Sequence, residues 1–209
     1  MLKIVSWLLI ILGLALLIFI FGPVIKEEIK YSFDQMSRVK YVIGTEQLDT
    51  FEKPLTPPNT DFSVIIPKIG AVAAISENID PKDSSTYLPA LKNGLVQATG
   101  SANPDNDGNI YLFAHSADTF WHVNTYNTKF LLIDKLALDD EIDIFYKGRL
   151  IKYTVFSKKI IETQAAVFTG SLDPDLNPSG FIKTLTIETG YPAGTTFKKL
   201  IVTAWQVNP

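Results

Sequence analysis

The side chain best suited to acid–base chemistry is His115, which follows an apolar segment, residues 109–114 (Asn-Ile-Tyr-Leu-Phe-Ala). Such a segment predicts a buried strand, so the imidazole would lie at a strand end. Histidine titrates near neutral pH and can act as a general acid or base. The alternative is a structural histidine that is hydrogen-bonded at the strand end. His122, the only other histidine, is interpreted as an exposed loop residue beside Trp121.

A second segment whose side chains could take part in catalysis, residues 183–204, lies near the carboxyl end. Residues 184–189 alternate between apolar and polar side chains, which predicts a strand with one buried face. Tyr191-Pro192 then breaks the strand, because proline has no N–H to donate. Gly194 turns the chain, and residues 200–204 form a second, buried strand. The segment therefore predicts two strands joined by a loop.

The polar face of the first of these strands carries Thr186 and Glu188, and it also contains Gly190. The hydroxyl of Thr189 points to the opposite face, because side chains alternate along a strand. The sequence identifies no group that would activate Thr186 or Glu188. The chain has no cysteine, which excludes a thiol nucleophile, a disulfide and a thiolate metal site.

These two segments together resemble the sortases, the membrane-anchored cysteine transpeptidases of bacterial surfaces. Residues 108–116 (Gly-Asn-Ile-Tyr-Leu-Phe-Ala-His-Ser) are similar to the family segment Gly-Asn-x-x-x-x-(Gly/Ala)-His. Residues 184–202 are similar to the family pattern Thr-Leu-x-x-x-Thr-Cys, a Pro-x-Gly loop, an arginine and a strand Leu-Ile-Val. Weaker similarities extend the resemblance over residues 62–204, and the sequence looks closest to the class D and class E sortases.

The resemblance implies roles for three positions. His115 stands where the family has its histidine, Gly190 where it has its cysteine, and Lys199 where it has its arginine; Lys198 is an alternative for the last. In the family, the thiolate attacks a threonyl carbonyl of a sorting peptide, the histidine protonates the leaving amine, and the arginine steadies the substrate or oxyanion. Gly190 offers no nucleophile, and a lysine lacks the planar fork of arginine. We therefore expect no thiol transpeptidation.

Three interpretations remain open. The chain is a degenerate sortase that binds a sorting-signal peptide or another partner without cleaving it, an active sortase whose cysteine has been replaced in this sequence, or a structural β-module at the membrane. Lys199 favours natural divergence over a deliberate knock-out, because a designed change would alter one residue. The three interpretations predict different outcomes when a cysteine is restored.

Composition narrows the classes of partner. The 209 residues carry a formal net charge of −3, which gives no basic surface for nucleic acid.

Residues 103–108 (Asn-Pro-Asp-Asn-Asp-Gly) match the start of a calcium loop, but Ala114 stands where an EF-hand needs its bidentate glutamate. A surface turn is the preferred interpretation. We expect no metal ion and no cofactor.

About eight short strands, few helices and regularly spaced turn signals predict a closed antiparallel-rich β-barrel or a sandwich. The family resemblance implies the first of these, a mainly β, closed eight-stranded barrel with short helices. We place this domain at residues 61–209.

Residues 5–22 are apolar apart from Ser6 and carry no charge. With residues 23–25 they reach the length of about 20 residues that crosses a bilayer. The run is longer than the core of a cleaved secretory signal, so we predict a retained transmembrane signal-anchor at residues 1–25. The family resemblance implies that the membrane is bacterial.

The charged residues and the family resemblance predict opposite orientations for this anchor. Lysine and arginine are enriched on the cytoplasmic side of a membrane helix. Only Lys3 precedes the helix, whereas Lys26, Lys30, Arg38 and Lys40 follow it, which argues against an extracytoplasmic body. The family resemblance implies that the body is extracytoplasmic, and we follow it.

Residues 26–60 connect the anchor to the body. Apolar residues spaced by three or four over residues 26–42 predict a short amphipathic helix, either on the membrane surface or on the body. Pro54, Pro57 and Pro58 predict a stiff linker without regular structure.

Overall fold

The computed structural model describes residues 2–44, 49–114, 128–162 and 182–207. His115 and His122 lie outside these ranges, as does the segment of residues 167–180, which the sequence predicts to be a loop. In chain order the elements are α1 (Leu2–Met36), β1 (Lys40–Ile43), β2 (Glu52–Leu55), β3 (Phe62–Ile66), the 3-10 helix η1 (Pro67–Ile69), β4 (Ala71–Ile79), α2 (Ser84–Leu91), β5 (Gly94–Ala98), β6 (Gly108–Phe113), the 3-10 helix η2 (Thr128–Lys135), β7 (Glu141–Tyr146), β8 (Arg149–Glu162), β9 (Lys183–Tyr191) and β10 (Lys198–Gln206).

Eight of these strands close into a barrel in the order β10-β8-β7-β3-β4-β5-β6-β9. The pairs β4–β5 and β6–β9 are parallel, and the others are antiparallel. The predicted mainly β, closed eight-stranded barrel with short helices is confirmed. A closed barrel leaves no unpaired strand edge, so every strand of the body contributes one face to the interior.

The interior of the barrel is filled by the apolar residues of the alternating strands. In β9 these are Leu185 and Ile187, and in β10 they are Leu200 and Val202, all of them buried. The other face of β9 therefore points out of the barrel, with Thr186, Glu188 and Gly190 on it. Alternation thus determines which side chains of β9 are available outside the barrel.

Helix α2 is capped by Asp83, whose carboxylate accepts from the Ser85 backbone N–H at 3.0 Å. The Ser85 hydroxyl also donates to the same carboxylate. A carboxylate at this position is favoured because it accepts from free N–H groups and faces the positive end of the helix dipole.

The expected proline-rich linker contains regular structure, so that part of the prediction is wrong. Its residues Glu52–Leu55 form β2, which pairs in parallel with β1 in a separate two-stranded sheet. Lys40 N–H donates to Phe51 O, and Gly44 N–H donates to Leu55 O. The backbone groups of the odd-numbered residues of β2 therefore form the hydrogen bonds to β1. Pro54 is even-numbered, so the sheet requires no N–H from it.

Helix α1 is bent. The segments Lys3–Phe19 and Phe21–Met36, here called the first and second legs, meet at an angle of 57°. Pro23 lies within the helix; it has no N–H for the carbonyl of Phe19, and its ring crowds that carbonyl, which explains the bend. No single straight helix in the described ranges is long and apolar enough to cross a membrane. The two legs together reach the required length and apolar composition.

The second leg packs on the body and extends past residue 25, where the anchor was predicted to end. Glu27 pairs with Lys129 at 3.1 Å, and Glu28 pairs with Lys135 at 2.8 Å; both lysines belong to η2. Further along the helix, the buried carboxylate of Asp34 pairs with Lys53 of β2 at 2.8 Å. The helix predicted for residues 26–42 therefore lies on the body along one of its faces.

Candidate functional site

Gly190 and Lys199 lie directly opposite each other in the antiparallel pair β9–β10. The sequence predicted both positions from one segment, residues 183–204, and the hairpin places them side by side. Cross-strand partners in such a pair have their Cβ positions about 5 Å apart. A side chain at position 190 would therefore be a neighbour of the Lys199 side chain.

The ammonium group of Lys199 is already engaged by a carboxylate. Its Nζ lies 2.8 Å from Oε1 of Glu188, two residues before Gly190 on the same face of β9. The second oxygen of this carboxylate, Oε2, accepts a hydrogen bond from the hydroxyl of Tyr111 in β6. Both side chains of the ion pair are largely shielded from solvent, with 27% of Lys199 and 13% of Glu188 exposed. Lys199, Glu188 and Tyr111 thus form one polar cluster beside Gly190.

Tyr111 is the member that the sequence did not reveal. Burial raises the pKa of its phenol, and the charge of Glu188 and the hydrogen bond to it act in the same direction. The phenol is therefore neutral at physiological pH and donates its proton to Glu188. The only available signal was the alternation of residues 109–114, which places Tyr111 on the face opposite to Ile110 and Leu112.

A second polar contact links the same two strands. The side-chain oxygen Oδ1 of Asn109 accepts from Thr184 Oγ1 at 3.1 Å and from Thr186 Oγ1 at 3.0 Å. All three residues are buried. Buried hydroxyls require such partners, because an unpaired buried polar group costs free energy. The contact fixes the register of β6 against β9 near the cluster.

The described part of β6 ends next to the cluster. Ala114 donates its backbone N–H to the carbonyl of Glu188 at 2.8 Å, continuing the parallel pairing of Phe113 with Glu188. His115 is the next residue in the chain, and the structure does not describe it. The predicted role of His115 remains a prediction.

Thr189 is the hydroxyl residue adjacent to Gly190, and it is an unsuitable nucleophile. Its side chain is buried, and its Oγ1 has no hydrogen-bond partner among the described residues. A serine or threonine nucleophile needs a base within hydrogen-bond reach. The expectation that Thr189 points away from Gly190 agrees with the alternation of the buried residues in β9.

The loop after Gly190 contacts the amino-terminal helix. Val24 of the second leg and Ala193 of the loop both pack against Leu131, and a Cβ on Gly194 would lie 3.0 Å from Cγ2 of Val24. Within the loop, both the N–H and the hydroxyl of Thr195 donate to the carbonyl of Pro192, at 2.9 and 2.7 Å. The α1 helix therefore supports the loop that follows position 190.

The described ranges contain no group of three or more His, Cys, Asp or Glu side chains placed to hold a metal ion. The segment tested as a calcium loop is a turn, in which Asn106 N–H donates to the carbonyl of Asn103. Its Asp105 carboxylate accepts from Lys147 and Arg149. This carboxylate therefore pairs with the neighbouring hairpin.

Comparison with known proteins identifies a relationship over most of the chain. The family model described as the sortase domain matches residues 64–207. No protein of curated function matches the chain. Among solved structures, a Clostridium perfringens sortase D5 transpeptidase is 25% identical with a TM-score of 0.50, and the match covers 71% of this chain and 79% of that one.

Two class C structures share the fold at lower identity. Sortase C-1 from Actinomyces oris is 20% identical with a TM-score of 0.52, over 71% of this chain and 73% of that chain. Sortase C1 from Streptococcus agalactiae is 21% identical with a TM-score of 0.53, and the match covers 71% of this chain and 67% of that chain. Because the similar structures include both class C and class D members, the predicted likeness to class D and class E stays a prediction.

Proposed function

The chain belongs to the sortase family, and we propose that it is a membrane-anchored member that does not carry out thiol transpeptidation. The family resemblance places Gly190 at the position of the nucleophilic cysteine and Lys199 at the position of the arginine. A glycine supplies no nucleophile. His115 retains the position of the general acid, which is not sufficient for peptide cleavage by itself.

The observation that carries this proposal is the ion pair between Glu188 and Lys199 opposite Gly190. In the family, the cation at this position steadies the substrate or the oxyanion. Here an internal carboxylate holds it at 2.8 Å, and Tyr111 orients that carboxylate. A cation that is neutralised within the protein contributes less to a developing negative charge. The missing nucleophile and the engaged cation therefore favour the same conclusion.

The proposed activity is binding of a sorting-signal peptide of a surface protein without cleavage. The alternative of an active sortase with a replaced cysteine finds less support, because Lys199 has a specific partner in Glu188. A single engineered exchange at position 190 would not produce that pair. The structural β-module remains the alternative if no peptide binds.

We propose that the chain is held in the membrane as a single-pass protein by the apolar first leg of α1, with the barrel extracytoplasmic, as in other sortases. The four cationic residues after residue 25 oppose this orientation under the positive-inside rule. Digestion of intact cells with an added protease tests it. An extracytoplasmic barrel should be degraded in intact cells, and a cytoplasmic barrel should be protected until the cells are lysed.

The test of lost catalysis is restoration of the thiol. Gly190→Cys, with and without Lys199→Arg, should be incubated with sorting peptides and an amine acceptor, and thioester formation should be followed by mass spectrometry. We expect the unaltered chain to form no thioester and the double variant to form one. Leu150→Cys, an exposed site on β8, is the matched thiol control. Thioester at Leu150→Cys would show that the reaction does not depend on the site.

The test of peptide binding is a titration of the unaltered chain with proline-containing sorting peptides, followed by NMR. We expect resonances of His115, Tyr111 and Lys199 to shift together. If no peptide shifts a resonance near His115, peptide binding is wrong. If, in addition, both Gly190→Cys variants stay inactive, the structural β-module becomes the better interpretation.

A further inference from the structure

The second leg of α1 has two faces of opposite character. Its docked face consists of Val24, Glu27, Tyr31 and Asp34, which recur at helical spacing. Glu27 and Asp34 are buried and paired with cations of the body. Val24 packs against Leu131 of η2, and Tyr31 packs against the barrel core. This face attaches the helix to the barrel mainly through polar and charged groups.

The opposite face, here called the exposed face, is apolar. It consists of Ile25, Ile29, Phe33 and Met36, with 50%, 64%, 67% and 84% of their surfaces exposed. A helix that packs on a globular body normally buries its apolar stripe and turns its polar side to water. Here the arrangement is the reverse. Contiguous exposed apolar residues of this kind mark an interaction surface.

Charge accompanies the exposed face. Gly22, Ile25, Ile29 and Phe33 line a shallow apolar groove, and Lys26 and Lys30 stand along it. Both lysines are exposed. A helix with apolar residues on one side and lysines at its border has the composition of a segment that lies in the headgroup region of an anionic membrane.

The position of this face in the chain indicates which surface it meets. It continues directly from the first leg, whose side chains such as Leu8 and Leu12 are apolar and largely exposed. The 57° bend turns the second leg away from the direction of the first. If the first leg crosses a bilayer, the second leg leaves it towards the membrane plane. Because the docked face holds the barrel on one side, the exposed face is left to meet the lipid.

We propose that the second leg of α1 is an interfacial helix, whose exposed face inserts into the lipid headgroup region while Lys26 and Lys30 contact anionic headgroups. This inference rests on the proposed membrane anchor. It adds that the barrel is held in one orientation, because two carboxylates of the docked face, Glu27 and Asp34, pair with lysines of η2 and β2. Gly194, in the loop after β9, lies against Val24 of the same helix, so the end of β9 that carries Gly190 faces the membrane side.

Single-cysteine labelling of the full-length chain tests the proposal without interference from native thiols. Variants Leu12→Cys, Ile29→Cys, Phe33→Cys and Leu150→Cys are labelled with a polarity-sensitive fluorophore in nanodiscs of anionic lipid. Leu150 is the aqueous control, because it lies with Lys183 at the other end of β9 from Ala193. Lipids brominated near the headgroup or deep in the acyl chain then quench labels according to depth.

We expect headgroup-proximal bromine to quench the labels at positions 29 and 33 by about twofold or more, deep bromine to quench the label at position 12, and neither to quench the label at position 150. Quenching at 12 without quenching at 29 and 33 overturns the interfacial helix and leaves the anchor intact. No quenching at 12 overturns the anchor itself. Deep quenching at 29 and 33 would show a straight span and overturn the proposal.

Two further results distinguish other partners of the exposed face. Labels at 29 and 33 that report an apolar environment without quenching by lipid would place a second copy of the chain there, and would overturn the proposal. The double variant Lys26→Glu, Lys30→Glu should reduce quenching at position 33 in anionic nanodiscs, whereas Lys92→Glu, at the carboxyl end of α2, should not. Equal quenching in both variants would refute the contact with anionic headgroups.

Discussion

A thiol introduced at position 190 should report the charges of Glu188 and Lys199 through its pKa. The chain has no cysteine, so Gly190→Cys carries a single thiol. Lys199 lies opposite, and Glu188 precedes it by two residues on the same face. A nearby cation stabilises a thiolate, and a nearby anion destabilises it. While the ion pair is intact, the two effects largely cancel, and the thiol pKa should stay near the ordinary value of about 8.5.

The magnitude follows from the strand geometry. The Cβ positions of Lys199 and Glu188 lie about 5 Å and about 7 Å from that of residue 190, and about 7 Å is taken as the separation between each charge and the introduced sulfur. At an effective dielectric constant of about 20, a unit charge at about 7 Å changes the free energy of the thiolate by about 2.4 kcal/mol. This energy corresponds to a change of almost two in the thiol pKa. Partial solvent exposure of Lys199 reduces this by roughly half.

We therefore expect Glu188→Gln, added to Gly190→Cys, to lower the thiol pKa by about one, because it leaves Lys199 unopposed. Lys199→Met should raise it by about one, because it leaves Glu188 unopposed. Glutamine retains an oxygen that accepts from Tyr111, so the change is mainly one of charge.

The assay is the rate of alkylation by iodoacetamide between about pH 6 and about pH 10.5, because only the thiolate reacts. Mass spectrometry follows the single modified site. Leu150→Cys with the same second substitutions is the control, and its profile should not move. Identical profiles in the three Gly190→Cys chains would refute the placement of both charges beside position 190. Shifts in the same direction for both second substitutions would refute the ion pair as their cause.

The remaining predictions concern stability, measured by urea unfolding of the detergent-solubilised chain. Burial and the neighbouring Glu141 raise the pKa of Asp143 to about 7, so the folded state retains a proton that the unfolded state loses above about pH 4, and stability falls as pH rises from about 4 to about 7. Asp143→Asn should therefore be more stable than the parent by up to about 4 kcal/mol at pH 8 and equal to it near pH 4; a pH-independent difference would contradict this. At Gly94, a Cβ would lie 2.0 Å from the Ala74 carbonyl oxygen. Gly94→Ala should cost about 2–3 kcal/mol, whereas Gly148→Ala, which meets no atom within 4 Å, should cost about 1 kcal/mol; equal losses would show that the close approach is not the cause.

Local patterns account for the parts of the fold that the sequence predicted well. The alternation of residues 184–189 identified the buried face of β9, where Leu185 and Ile187 lie in the barrel interior. One local detail was wrong. Strand β2 forms in the linker despite Pro54, because its ladder does not use that N–H.

The chemistry beside Gly190 was only half predictable. The sequence indicated Gly190 and Lys199, since both belong to one recognisable hairpin. It did not indicate Tyr111, which is 77 residues from Glu188 in the chain. Their contact depends on the parallel pairing of β6 with β9, and parallel neighbours are connected through long stretches of intervening chain.

The sequence by itself determined the absence of a thiol, the alternation of the strands, the apolar run at the amino terminus and the resemblance to sortases. These properties depend on residue type and on spacing over a few residues, which covalent geometry converts into faces. Only the tertiary structure decided that Glu188 engages Lys199 and Tyr111, and that the second leg of α1 turns its apolar face away from the barrel. Strand register and helix docking depend on contacts between distant residues, and no local pattern encodes those.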